Sequence, residues 1–111
     1  MDDAWGTIEQ LVGWLDATSQ LPPETEKLVR IMKLTEETGE VTQAVMGVMG
    51  QNRRKGFTHT WDDVQAELCD VMFTAMIALC TLTPDAREVF ETNLARVADR
   101  CLRQPPAATT H

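Results

Sequence analysis

Tyrosine is absent from this 111-residue chain, and aromatic residues make up only 5% of it. The aromatic and β-branched alternation that marks strands therefore has little to build on, and no stretch of useful length alternates polar with apolar residues. Histidine is almost absent: His59 and His111 are the whole supply. A di-iron carboxylate bundle needs Glu-x-x-His on two helices, so that class is excluded. Basic residues are also scarce, 10 Lys and Arg against 17 Asp and Glu, for a net charge of −7. A general nucleic-acid binder needs a basic face, so nucleic acid is not an expected partner. An anionic small substrate stays possible if a metal ion or a local basic group offsets the charge.

Cys69, Cys80 and Cys101 are odd in number and form no CxxC pair. Two of them sit in apolar surroundings, and all read as buried thiols in a reducing compartment. The start, MDDAWGTIEQ, lacks the basic and apolar regions of a secretory signal. The longest apolar run, Val71 to Leu82, is short for a bilayer and is interrupted by Thr74 and Thr81. The expectation is a cytoplasmic protein with no membrane partner.

Apolar residues recur at spacings of three and four, which predicts an all-α fold of four helices in one domain over 1–104, with a frayed tail over 105–111. Trp5, Ile8, Leu11, Val12 and Leu15 line the first helix. Pro22-Pro23 followed by Glu24 and Glu26 opens the second, which runs to Gly50. Thr60 caps the third, whose later part, VMFTAMIALCTL, is apolar nearly all round and predicts a central, mostly buried helix. Thr83-Pro84 reads as the N-cap and first residue of a fourth helix that ends near Leu102. The apolar surface exceeds what one small core needs, which predicts a homodimer or homotetramer.

The acids fall where a core-facing helix should have none. With Leu34 at zero on a helical wheel, Val41 and Val45 lie within about 20° and Glu37 lies near 300°, inside the apolar stripe. Glu40 and Glu36 follow at about 240° and about 200°, on its edge. On the third helix Glu67 and Asp70 share a face with Thr74. Antiparallel pairing of the two helices lets these acids converge. A carboxylate aimed at a core is costly unless paired or bound to a cation, and oxygen-only ligands select Mg²⁺, with Mn²⁺ as its substitute. An ordinary solvated acidic face is the alternative.

Glu36-Glu37-Thr38-Gly39-Glu40 and Glu67-Leu68-Cys69-Asp70, separated by the 26 residues from 41 to 66, resemble the EExxE…ExxD signature of the MazG-like all-α nucleoside triphosphate pyrophosphohydrolases. The resemblance spans about the middle half of the chain, from Leu28 to Leu79. It implies a bundle of helices, oligomeric, that hydrolyses a nucleoside triphosphate to the monophosphate and pyrophosphate. It implies Glu37, Glu40, Glu67 and Asp70 as Mg²⁺ ligands, with Glu36 and Glu37 in catalytic roles. Asn93-x-x-Arg96 resembles the family's sugar and phosphate contacts, although Val89 and Val97 stand where many members have a lysine and an aromatic. The basic run Arg53, Arg54, Lys55 is a candidate phosphate clamp, and Trp14, off the main stripe, is a candidate stacking surface for a base. A phosphoribosyl-ATP pyrophosphohydrolase and a non-catalytic nucleotide- or partner-binding bundle are the other functions compatible with these residues.

Overall fold

The computed structural model describes residues 3–103, and within them the chain is all-helical: α1 (Ala4–Thr18), α2 (Pro23–Met49), α3 (Trp61–Leu82) and α4 (Ala86–Leu102). The tail expected from residue 105 onward lies outside the described residues. Local chemistry sets most of the ends. The Asp3 carboxylate accepts from the Gly6 N–H at 2.8 Å and starts α1. Pro23 opens α2 without the need of a donor, and Gly50, at φ 65°, closes it in the left-handed conformation. Thr60 and Asp63 cap α3 reciprocally, each side chain taking the other's backbone N–H.

The fourth helix starts later than the sequence pattern predicts. Thr83 is not its N-cap, nor Pro84 its first residue. The Thr83 N–H still donates to Leu79 as the last bond of α3, and its hydroxyl accepts from the Asp85 N–H at 3.1 Å. That local turn uses the side chain that would have capped α4, so Asp85 stands at the N-cap with no side-chain bond.

Helices α2 and α3 run antiparallel as the main pair, with α1 against α3 and α4 resting lightly on α3. Among the described residues the buried apolar ones are few and mostly small: Ile8, Val12, Ala44, Val64, Ala78 and Ala86. α3 is central, as expected, but it is not mostly buried. Leu68, Met72, Phe73 and Leu82 are all exposed, because α4 covers little of it. Two cysteines depart from expectation as well. Cys69 and Cys101 are exposed, Cys80 is half-buried with burial pushing its thiol pKa up, and all three are free. By length and composition alone α3, with mean hydropathy 1.4, is apolar enough to cross a membrane, a test that core helices also pass.

One buried charge ties three helices together. Arg30, only 5% exposed, donates from Nε to Glu26 at 3.0 Å and from Nη1 to Asp16 at 2.9 Å and to the Thr81 hydroxyl at 2.9 Å. The Ser19 hydroxyl donates to the other oxygen of Glu26 at 2.9 Å. The end of α1, the start of α2 and the end of α3 thus share one guanidinium. Arg30→Ala is expected to cost about 3 kcal/mol, because it leaves the half-buried Glu26 carboxylate without its cation. Arg30→Lys should recover only part of that, since an ammonium cannot serve three acceptors in fork geometry. Chemical denaturation checks this; an unchanged midpoint for Arg30→Ala would contradict it.

Candidate metal centre

The antiparallel pairing brings the second half of α2 against the first half of α3. It gathers Glu37, Glu67 and Asp70 so that one carboxylate oxygen from each lies within 4.8 Å of the others. Glu37 and Glu67 are half-buried, and Asp70 is at the exposed edge. The wheel order is seen directly in the side chains: Glu37 is 12% exposed and Glu36 is 64% exposed. Glu40 is half-buried beside Glu37. Thr74, one turn beyond Asp70, is buried beneath the cluster's end of α3.

Burial, and after it the charges of Glu40 and Asp70, push the Glu37 carboxyl above its ordinary 4.5, and donation from the protonated Glu37 to the Glu40 carboxylate adds to the rise. Lys33, four residues earlier on the same face, pulls the other way from 3.7 Å. One lysine thus faces four acids, and it is shared with Glu36, also at 3.7 Å. Glu67 carries a further cost: its Oε2 is buried and has no hydrogen-bond partner. A buried, unpaired carboxylate oxygen is destabilising on its own, and more so beside two further acids. The donor set, all oxygen and anionic, is the kind that a hard divalent cation satisfies.

Glu36 stands outside this cluster, paired with Lys33, so its contact with the site runs through that lysine. Asn93 and Arg96 share a face of α4 and bond to each other at 3.0 Å, while the Asn93 amide also donates to the Val89 carbonyl. Neither has a described contact with the acids. Arg53, Arg54 and Lys55 lie in the α2–α3 loop, all exposed. Trp14 is 63% exposed on α1, which excludes core packing in the single chain. Trp61 is also exposed, whereas Trp5 packs against Phe90 with ring centroids 5.6 Å apart.

Lys33 and His59 were not singled out by the sequence pattern. Lys33 had a signal, the i to i+4 pairing with Glu37. His59 had none, because its place against Gly47 is a tertiary contact. Compared with family models, curated proteins and solved structures, the chain matches none.

Proposed function

We propose that the chain is a Mg²⁺-dependent hydrolase of nucleoside triphosphates, releasing the monophosphate and pyrophosphate, as its resemblance to the MazG-like enzymes implies. Two observations carry this: the convergence of Glu37, Glu67 and Asp70, and the burial of a Glu67 oxygen that has no partner. Glu37, Glu67 and Asp70 would hold the ion, with Glu40 beside Glu37 as the further ligand the resemblance implies. Bound there, Mg²⁺ supplies charge neutralisation of the phosphate oxygens and acidifies a bound water.

The protein's own part is positioning and proton handling, since phosphoryl transfer needs little covalent work. Glu37, the inward member of the Glu36-Glu37 pair, is the candidate to orient an attacking water and take its proton. Glu36 holds Lys33 beside the cluster and is a positioning residue. Asn93, Arg96 and Trp14 are exposed and face solvent as candidate substrate contacts.

A homo-oligomer is part of the proposal. The chain exposes 8697 Å², against on the order of 6,100 Å² for a compact chain of this mass. An excess on the order of 2,600 Å² per chain, about 5,200 Å² for a pair, is at the upper end of what obligate interfaces bury. Exposed apolar side chains occur on all four helices, most of them on α2, α3 and α4, and between α1 and α3 a groove of about 290 Å³ is lined by Ile8, Leu11, Phe73 and Met76.

Mn²⁺ titration followed by the electron-spin resonance of the free ion tests the site. The wild-type chain is expected to take up Mn²⁺ and Glu67→Gln to lose that uptake. Equal uptake by both proteins would remove the acidic cluster from the proposal.

A further inference from the structure

Lys27, Arg30, Lys33, Arg87 and Arg103 each face a carboxylate. Among the described residues, Arg53, Arg54, Lys55, Arg96 and Arg100 form no ion pair, and the first three are consecutive in one loop. The loop that carries them is nevertheless closely built. The Asn52 side-chain oxygen accepts from the N–H groups of Arg54 and Lys55, each at 3.2 Å, and the Gly56 N–H donates to the Asn52 carbonyl at 2.7 Å. Gly56 itself requires its φ of 70°. The loop's return is seated on α2, with the Thr58 N–H donating to the Gly47 carbonyl at 3.1 Å. A Cβ on Gly47 would come within 3.0 Å of both His59 Nδ1 and Thr58 Oγ1, so only glycine admits this seating.

The seating leaves a cavity of about 390 Å³ between α2 and the loop, lined by Gln43, Asn52, Lys55, Thr58 and His59 over the Gly47 backbone. No carboxylate lines it. Its open polar groups are mainly donors. Asn52 has spent its oxygen on the backbone, which leaves its amide N–H groups. Thr58 and His59 Nδ1 engage each other at 2.8 Å, and Nε2 is a donor in the tautomer where the Thr58 hydroxyl donates to Nδ1, or when the ring is protonated. Lys55 brings an unpaired ammonium. Gln43 lies on the same helix as the acids, about 4.5 Å along the axis from Glu40 and about 9 Å from Glu37. A polyphosphate chain, rather than a single phosphate, covers that span.

The geometry points to this cavity as the site for the terminal phosphoryl oxyanions of the substrate, the part that leaves as pyrophosphate, with Lys55 and His59 as the principal contacts and Gln43 and Asn52 as further donors. This rests on a triphosphate substrate at the acidic cluster. Of the three loop cations, only Lys55 lines the cavity, so Arg53 and Arg54 contribute field and not contact.

Calorimetric titration of the full chain with inorganic pyrophosphate, in EDTA, separates this site from the metal. Wild type is expected to bind. Lys55→Gln should weaken binding by about tenfold, the loss of one charge-assisted contact. Arg54→Gln removes the same charge outside the cavity and should change affinity by less than about twofold, since exposed charges act weakly across solvent. Absence of binding by wild type, or equal losses in the two variants, would overturn the site. Lys55-dependent binding in a protein that takes up no Mn²⁺ would uphold the anion site and sink the hydrolase proposal instead.

Discussion

Glu67→Gln is expected to lower Mg²⁺-dependent pyrophosphate release by on the order of 10³-fold, the scale of losing one preorganised electrostatic contact at a phosphoryl centre. The same change should make the metal-free protein more stable. Glutamine keeps the shape of the side chain, removes one of three converging charges and supplies an N–H to neighbours that only accept. It also fills the position where Oε2 is now buried without a partner. Gain of stability with loss of activity is the signature of a site strained to receive a cation. An ordinary solvated acid would give neither effect. Thermal melts in EDTA, set beside turnover in Mg²⁺, read both.

The pH dependence of that metal-free stability has a fixed sign. Glu37 titrates above 4.5 in the folded protein, so the folded state holds the proton more tightly than the unfolded chain does. Its contribution is fully present below 4.5 and is lost as pH rises through the folded value. Asp3 and Asp63 act oppositely. Arg87 holds the Asp3 carboxyl below 3.8, and the Thr60 backbone and hydroxyl do the same for Asp63. Those two contributions are present above 3.8 and are lost as pH falls through the depressed values. The opposing effects meet between 3.8 and 4.5. Mg²⁺ should stabilise the protein more at pH 7 than at pH 5, and Glu37→Gln should flatten the loss above 4.5.

Phe73→Glu carries the second large effect. Phe73 is 49% exposed in the groove between α1 and α3, so a charge there is harmless to a lone chain. Between two copies it would be buried without a partner. That costs about 3 kcal/mol, or on the order of 10²-fold in the dissociation constant. Sedimentation should show wild type as a dimer or tetramer and Phe73→Glu shifted to monomer at the same concentration. A wild-type monomer, or an unshifted variant, would contradict the proposed interface.

Much of this was legible from spacing. The number of helices and the inward turn of Glu37 follow from the apolar period of a long helix, which fixes a face before any tertiary contact is known. The same wheel puts Arg30 about 40° from Leu34, so its burial also had a signal there. What spacing could not give was how much of that face is covered. VMFTAMIALCTL reads as a buried helix, yet Met72 and Phe73 stand exposed because neighbouring helices in one chain do not surround it. The start of α4 differs for a local reason: two cap-forming residues, Thr83 and Asp85, flank Pro84, and the last bond of α3 engages Thr83. The seat of His59 on Gly47 lies beyond any periodicity, since it joins a loop to a helix twelve positions earlier.

The most direct test is pyrophosphate release from a panel of canonical and modified nucleoside triphosphates and their deoxy forms, with Mg²⁺ and with EDTA. Pyrophosphate and monophosphate in equal amounts from at least one member, abolished by EDTA and restored by Mg²⁺, is the expected result. Undiminished turnover in EDTA, or no release from any triphosphate by a folded protein that binds Mn²⁺, would contradict a Mg²⁺-dependent triphosphate hydrolase built on Glu37, Glu67 and Asp70.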